Sequence, residues 1–432
     1  MKRILHYLIR FLLGEDIPEE IVSAVGYTSD RSAFHRYNLV IVPSGFFDER
    51  RYGTTGSVPD LPLRQIEGIP LLFGSPKEEW VGDTWVVYAD LIASTYFLVT
   101  RYEEIVRRTT RDAHGRFPGK ESLPYRAGFL HRPVVDEYRR LLRRWLRQTR
   151  LRVPDVENGI RRIYLTHDVD APFLYRSWKG VARSLAAGRG VAATWVGKFG
   201  SPERDPYYTF PWIFRQNSIL EDVVGKARCK TVLFFRGGGR FREDKPFYDL
   251  ASADMQRLMR DALRHGAEIG LHASYEAGQK PQLIAKEREW LEKNLGERVK
   301  GNRHHFLRCC EPEDTDFLES AGLTDDYTMG YADAAGFRLG TSYPVRWINP
   351  VTRRLSALKL HPLLIMDSTL EEKKYMGLAY DEAQTYSGNL VEQVSRVGGE
   401  AVLLWHNTSF SSGAVSYQRK LYTFLLNELT KK

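Results

Sequence analysis

Two aspartates stand close together in the motif LTHDVD of residues 165–170, at the end of an apolar run. Because side chains at positions i and i+2 of an extended chain point to the same side, Asp168 and Asp170 can face one cavity. Two carboxylates so close repel each other unless one of them binds a cation or a proton. The pair therefore suits one metal ligand beside one general base, although aspartate also commonly caps a following helix.

Histidines stand at the ends of three more apolar runs, in the segments EIGLH, RHH and LLWH. They are His272, His305 and His406, and Arg303 shares a face with His305 if that segment is extended. A single histidine at such a position is more often a hydrogen-bonded core residue than a metal ligand. Three of them at separate strand ends, together with the two aspartates, indicate one polar site.

The apolar runs before these residues are predicted strands, and helical patterns separate them. Strands that alternate with helices are typical of an α/β barrel, whose site lies at the C-terminal ends of its parallel strands. We therefore predict a (β/α) barrel over residues 159–432. Its predicted strands are residues 162–167, 231–235, 268–272, 303–306, 358–366 and 401–405.

The first third of the chain has a different pattern. At 432 residues the chain exceeds what one hydrophobic core usually supports. A polar stretch with Pro154 and Gly159 places a boundary near residue 158. Residues 1–158 are predicted to form a small accessory α/β domain. Its predicted strands are 37–43, 69–73 and 85–88, and its predicted helices are 91–108 and 134–150.

Composition and charge restrict the class of protein. Hydrophobic residues make up 43% of the chain and charged residues 27%, which excludes a disordered chain and a membrane-embedded one. The net charge of +9 is compatible with an anionic partner, but no nucleic-acid-binding motif accompanies it. Seven arginines lie among the leucines of residues 139–152, which predicts an amphipathic helix with its arginines in solvent.

Residues 1–14 predict a short amphipathic helix, because basic residues interrupt the apolar ones. A secretory signal would need an unbroken apolar run and a small-residue cleavage site. We expect the helix to lie on a neighbouring domain, with a weak contact to a membrane surface as the alternative. No run approaches the ~20 apolar residues of a membrane span. The cytoplasm is the predicted location, in agreement with only three cysteines, Cys229, Cys309 and Cys310.

The succession THDVD, EIGLH, RxH and LLWHN resembles the polysaccharide deacetylase superfamily with the NodB homology domain, carbohydrate esterase family 4 in the broad sense. Three earlier segments, FLVTRYEE, GRF and RPVVD, resemble a bacterial subgroup in which a small uncharacterised α/β domain precedes the barrel. The resemblance covers nearly the whole chain. It implies a NodB-type distorted (β/α) barrel and a metal-dependent hydrolase that removes N-acetyl, or less commonly O-acetyl, groups from a sugar.

The resemblance also implies roles for single residues. The general base would be Asp168, oriented by Arg303. The histidine that protonates the leaving group would be His406. Asp170 and His272 would bind the metal.

One position departs from the family pattern. The family's second motif carries two histidines four residues apart, whereas Glu276 stands four residues after His272. Either Glu276 binds the metal, or His305 replaces the missing histidine, or metal binding is lost. We favour His305, because it shares a face with Arg303 and because three protein ligands with a water suit catalytic Zn²⁺. The predicted cofactor is a divalent metal, Zn²⁺ before Co²⁺, Mn²⁺ or Fe²⁺.

Three further residues are predicted on the substrate side of the site: Asp367, Trp405 and Tyr275. Asp367 ends the run 358–366 and could contact substrate, fix His406 or cap a helix. Trp405 and Tyr275 are expected to be walls of the site or core residues. The predicted substrate is an acetylated sugar or glycan precursor, and the oligomeric state is left open. The alternatives are an inactive glycan-binding or scaffolding barrel and a hydrolase of a non-sugar amide bond.

Overall fold

The computed structural model describes residues 1–176, 178–186, 188, 190–413 and 416–431. This part of the chain is a mixed α/β structure with a smaller sheet near the N-terminus and a larger one after it. The first strands are β1 (Val25–Tyr27), β2 (Leu39–Ile41), β3 (Arg64–Ile66), β4 (Ile69–Leu71), β5 (Gly74–Val81) and β6 (Thr84–Ala89).

The smaller sheet has the strand order β1-β2-β6-β5, and β3 pairs with β4 in a separate ribbon. Strands β1, β2 and β6 run parallel, whereas β5 is an antiparallel edge strand. The three predicted strands of this region correspond to β2, β4 and β6. β2 is buried along its whole length because all three of its residues are branched and apolar.

Helices cover this sheet and connect it to the rest of the chain. The helix predicted for residues 91–108 is divided in two, since Arg101 adopts a left-handed φ of 58° at the division. The helices are α1 (Lys2–Leu13), α2 (Glu19–Ser23), α3 (Leu91–Val99), α4 (Tyr102–Val106), α5 (Leu123–Arg126) and α6 (Val134–Gln148).

The contact between α1 and α6 bears on two expectations. α1 is the helix predicted for residues 1–14, and Leu8 and Leu13 on its apolar face are fully buried. Arg139 and Arg143 of α6 do not lie in solvent, because they are buried and donate to the last carbonyl groups of α1. The C-terminal end of α1 carries the partial negative charge of the helix dipole, so these two positive side chains stabilise it. Among the described residues, no helix is long and apolar enough to cross a membrane.

The larger sheet follows residue 160 and has the order β12-β13-β11-β10-β9-β8-β7-β15-β14. Its neighbouring strands are parallel, except that β12 is antiparallel to β13. The sheet is curled, in agreement with the predicted distorted barrel. The strands are β7 (Arg162–Val169), β8 (Cys229–Phe235), β9 (Glu268–Ala273), β10 (Gly301–His304), β11 (Asp325–Asp326), β12 (Val345–Ile348), β13 (Leu355–Leu360), β14 (Ile365–Met366) and β15 (Glu400–Leu404).

Helices alternate with these strands. The central strands β8 and β15 are buried almost throughout, because helices cover their outer face and side chains such as Tyr164 and Phe234 fill the inside. The helices are α7 (Trp178–Ala186), α8 (Val191–Phe199), α9 (Phe210–Val224), α10 (Ala253–Arg264), α11 (Leu283–Leu295), α12 (Asp316–Ser320), α13 (Asp367–Glu371), α14 (Tyr380–Val397) and α15 (Tyr417–Thr430).

Buried polar side chains join the two sides of the curled sheet. His361, just after β13, bonds Asp325 of β11 through Nε2 at 3.0 Å and Glu400 of β15 through Nδ1 at 2.8 Å. Tyr327 stacks on the same ring at 4.5 Å. The strand predicted for residues 358–366 is divided here into β13 and β14, because Pro362 has no N–H to donate to a sheet.

Candidate active site

The polar residues predicted from the strand ends meet at one edge of the larger sheet. Asp168 is the last residue but one of strand β7, and Asp170 follows directly after the strand. His272 lies at the end of β9, and His305 and His406 follow β10 and β15. Because these parallel strands are close in the sheet order, their C-terminal ends bring the five side chains together.

Asp170, His272 and His305 form the candidate metal centre. Among the described residues, one ligand atom from each lies within 4.8 Å of the other two. Asp170 Oδ1 is 3.1 Å from His272 Nε2 and 3.4 Å from His305 Nε2. Asp170 Oδ1 and His272 Nε2 are buried and lack a hydrogen bond of acceptable geometry. Unsatisfied buried polar atoms are costly, so this donor set fits a divalent cation well.

Neighbouring oxygen atoms orient both imidazoles of the candidate metal centre. His272 Nδ1 donates to the carbonyl of Arg303 at 2.9 Å, and His305 Nδ1 donates to Asp244 Oδ1 at 3.0 Å. With Nδ1 protonated, Nε2 of each ring presents its lone pair towards Asp170. Asp244 was not predicted, because it lies in a loop beside Glu243 with no spacing that would distinguish the two carboxylates.

Two carboxylates, Asp170 in the candidate metal centre and Asp244 beside it, are held in the ionised form. Burial raises the pKa of Asp170, but the imidazoles of His305 and His272 outweigh it and bring the pKa well below its usual value. Burial likewise raises the pKa of Asp244, and its hydrogen bond with His305 outweighs that effect and lowers the pKa. Carboxylates must be ionised to act as metal ligands or to support one.

Asp168 is placed next to the candidate metal centre by Arg303. The guanidinium Nη1 of Arg303 donates to Asp168 Oδ1 at 3.2 Å and to Thr166 Oγ1 at 2.6 Å. Its Nε donates to the carbonyl of Tyr327 at 3.0 Å, and Arg303 is fully buried. The second oxygen of Asp168 lies 3.7 Å from His272 Nε2. Arg303 therefore fixes one carboxylate oxygen and leaves the other directed at the centre.

His406 completes the site and is held by Asp367. His406 Nδ1 donates to Asp367 Oδ1 at 2.8 Å, and its Nε2 lies 3.6 Å from Asp170 Oδ2. Burial lowers the pKa of His406, but the charge of Asp367 and this hydrogen bond outweigh it and raise the pKa to about 10. Asp367 is fully buried and also accepts from Ser409. Of the roles left open for Asp367, the structure shows that it fixes His406. A contact between Asp367 and substrate stays a prediction.

The remaining predicted residues occupy three different environments. Trp405 is fully buried and donates through Nε1 to Gln418 Oε1 at 2.7 Å, so of its two expected roles, wall of the site or core residue, the structure shows the second. Tyr275 is 8% exposed and lies beside the site, since its backbone N–H donates to Asp244 Oδ1 at 2.7 Å. Glu276 accepts from the backbone of Arg240 and pairs with Lys280 at 3.1 Å, away from the candidate metal centre.

Comparisons with known proteins give partial matches. The family model of a family of unknown function, DUF7033, matches residues 1–151. No curated protein matches the chain.

Two solved structures are similar to part of the chain. A candidate polysaccharide deacetylase from Mycobacterium smegmatis is 16% identical over 64% of this chain and 86% of its own, with a TM-score of 0.38. A mutant of a CE4 family pseudoenzyme with restored enzymatic activity is 10% identical over 64% of each chain, with a TM-score of 0.31. Both likenesses are weak, and the geometry of the candidate active site stands independently of them.

Proposed function

We propose that the chain is a metal-dependent deacetylase that hydrolyses the N-acetyl group of a sugar or glycan precursor. The observation that carries the proposal is the convergence at one sheet edge of a metal ligand set, a buried carboxylate and a histidine whose protonated form is stabilised. An acetamide needs these three functions for hydrolysis, namely an activated carbonyl, a base for water and an acid for the leaving amine. An O-acetyl group would need the same functions and is the less favoured substrate.

The cation would be held by Asp170, His272 and His305. One carboxylate with two imidazoles suits catalytic Zn²⁺, which keeps a further position for water or substrate. Co²⁺, Mn²⁺ and Fe²⁺ accept the same ligand types. When bound, such a cation polarises a carbonyl oxygen and lowers the pKa of water.

Asp168 is the proposed general base. Arg303 occupies one oxygen of its carboxylate, so the second oxygen is the one that accepts a proton from the attacking water. This second oxygen faces the candidate metal centre, so a water held there would pass its proton to Asp168. Because Asp168 is itself 2% exposed, bulk water does not compete for its oxygens.

His406 is the proposed general acid. The carbon–nitrogen bond of an acetamide breaks readily only if the leaving nitrogen receives a proton, because an amide anion is a poor leaving group. His406 Nδ1 is bonded to Asp367, so Nε2 is the atom that delivers the proton. The products are acetate and a free amine.

We also propose that the boundary near residue 158 separates an accessory α/β unit, residues 1–158, from a NodB-type barrel, residues 159–432. The match of the family model to residues 1–151 supports a separate N-terminal unit.

Metal content of the purified protein tests the proposal first. We expect about one transition metal per chain in the wild type, and loss of it in Asp170→Ala, His272→Ala and His305→Ala. Glu276→Ala is the matched control, because this carboxylate stands at the position of the missing family histidine but bonds Lys280 instead. It should retain the metal.

Acetate release from oligomers of N-acetylglucosamine then tests the reaction. Turnover in the metal-loaded wild type, with loss of about 10²-fold or more in Asp168→Asn, is the expected result. A wild type that binds no metal after reconstitution with Zn²⁺ or Co²⁺ contradicts the proposal. Metal without acetate release from any acetylated sugar favours the inactive barrel or the non-sugar amide hydrolase.

A further inference from the structure

A segment of the N-terminal region, residues 112–116, reaches the rim of the candidate active site. His114 Nδ1 lies 3.2 Å from the hydroxyl of Tyr275, which follows β9. Arg308, in the loop after β10, donates through Nε to the carbonyl of His114 at 2.7 Å. Arg116 donates in turn through Nη1 to the carbonyl of Phe306 at 2.8 Å. Two loops that leave the site therefore bond to the same short segment.

The loop held by this segment begins directly after the metal-centre residue His305. Phe306 and Leu307 have left-handed φ values of 62° and 52°, which residues other than glycine adopt only when their surroundings impose it. The ring of Phe306 lies 4.8 Å from that of His305 and 5.0 Å from that of His114. His114 is thus separated from the candidate metal centre by a single aromatic ring.

The path of the segment is fixed by internal contacts. Asp112 accepts from Arg116 Nε at 2.8 Å and from the backbone of His114 at 2.9 Å. Gly115 has a left-handed φ of 76°, and a Cβ at this position would lie 3.1 Å from Cys310 Sγ. A larger residue at this position would be strained by its φ and would crowd the loop after β10.

Aromatic and polar groups from both regions form a cluster around Tyr275. Its ring makes edge contacts with His114 at 5.8 Å, with Phe306 at 5.4 Å and with Phe241 at 6.0 Å. His114 and Phe241 are half-buried, so both present surface at the rim. Arg308 covers one face of the Tyr275 ring at 4.3 Å, so the groups that this cluster offers to a sugar are the Tyr275 hydroxyl, the His114 imidazole and the accessible part of Phe241. Hydrogen-bonding groups beside an aromatic surface suit a pyranose ring, which has apolar C–H faces and a rim of hydroxyls.

The protonation state of His114 agrees with such a role. Burial lowers its pKa, and the nearby charge of Arg116 adds to that effect. A neutral imidazole has one donor and one acceptor nitrogen, so it can bond to a hydroxyl in either direction.

We propose that His114 and Tyr275 form a binding subsite for a sugar ring adjacent to the one that carries the acetyl group. This inference rests on the proposed function and adds to it that the N-terminal region takes part in substrate binding. It also narrows the substrate class to sugars with at least two linked rings, because the subsite lies beside the metal centre and not at it.

Binding and turnover of N-acetylglucosamine oligomers of one to four units test the subsite in the metal-loaded full chain. Affinity is measured by calorimetry in an Asp168→Asn background, with and without His114→Ala or Tyr275→Phe, so that binding is read without hydrolysis. We expect each added substitution to weaken the binding of the tetramer about tenfold, as the loss of one good polar contact does. Binding of the single sugar should change less than twofold.

Kinetics provide the second readout. In His114→Ala with Asp168 intact, KM for the tetramer should rise about tenfold, and kcat should change much less. Metal content should equal that of the wild type, which shows that the centre is folded. His35→Ala, at an exposed histidine in the N-terminal sheet region, is the matched control and should leave KM and kcat unchanged.

Two different results would contradict the subsite alone or the proposed function as a whole. Equal tetramer affinity with and without His114→Ala and Tyr275→Phe overturns the subsite, even if the wild type releases acetate. If metal-loaded protein neither binds nor hydrolyses any of the oligomers, that result overturns the proposed function itself and the sugar subsite with it.

Discussion

At the scale of single residues, three histidines at the site share one arrangement but are suited to different tasks. His272, His305 and His406 each have Nδ1 bonded to an oxygen and Nε2 turned towards Asp170. A cation competes with a proton for Nε2 of the two histidines in the ligand set. His406 lies outside that set and is paired with a fully buried carboxylate, Asp367, so it is the one that keeps a proton.

This difference predicts a change in pH dependence for Asp367→Asn. Asp367 raises the pKa of His406, and activity that needs protonated His406 is present below that pKa and is lost as the pH rises through it. Without the charge of Asp367 the pKa falls, so the alkaline limb of kcat/KM should move to lower pH by roughly one unit or more. Rates measured from pH 6 to about 11, which covers both sides of the wild-type limb, check this. An alkaline limb at the same pH in both proteins would show that His406 is not the titrating acid.

The sequence allowed the site to be predicted only where strand ends determine it. Asp170, His272 and His305 could be grouped because parallel strands of one sheet end at one edge. Asp244 could not, because only the folded loop after β8 brings it to His305. The burial of Asp367 could not be predicted from the sequence either, because it depends on Ser409 and the other residues that cover it in the folded chain.

At the scale of elements, apolar runs predicted central strands and missed peripheral ones. β8 and β15 are covered on both faces and end in the apolar runs VLFF and AVLL, which is why the sequence predicts them as strands. β5 is an edge strand with the sequence GSPKEEWV. Its exposed polar residues leave no apolar run from which a strand could be predicted. β11 has only two residues, too few for any periodicity.

The contact of buried His361 with Asp325 and Glu400 predicts how stability depends on pH. Burial lowers the pKa of His361, but the hydrogen bonds with the two carboxylates outweigh it and raise the pKa to about 9. A folded-state pKa above the unfolded value of about 6.5 means that the stabilisation is complete below pH 6.5 and is lost as the pH rises through 9. At about 1.4 kcal/mol per pKa unit, the free energy of unfolding loses roughly 3 kcal/mol at most.

Melting temperatures between pH 6 and 10 measure this effect. The melting temperature of the wild type should fall across the range, and Glu400→Gln should show a smaller fall because one of the two charges that raise the pKa of His361 is gone. His35→Ala is a control at an exposed histidine and should follow the wild type. An equal decline in Glu400→Gln would mean that other groups cause the pH dependence.

At the scale of the whole molecule, the two regions are joined by buried charges as well as by apolar contacts. Glu104 of α4 accepts from Arg101 and, at 2.8 Å, from Arg338 in the barrel region. Arg101 also donates to the carbonyl of Cys309 at 2.8 Å. All three charged side chains are at least 95% buried. One continuous cluster of buried apolar side chains includes residues of both regions, from Ile4 to Leu429.

These contacts predict that the chain unfolds in one transition and that Glu104 is critical for it. Burial raises the pKa of Glu104, but Arg101 and Arg338 outweigh it and lower the pKa, so the carboxylate is ionised between them. Glu104→Gln leaves two adjacent guanidinium groups buried without a counter-charge, which costs about 3–5 kcal/mol.

Glu67→Gln is the control, because Glu67 pairs with Arg144 at the surface, where such pairs contribute about 0–1 kcal/mol. Calorimetry should show a single transition in all three proteins, at a clearly lower temperature only in Glu104→Gln. Two separate transitions in the wild type, or equal shifts in both variants, would mean that the regions are stabilised independently.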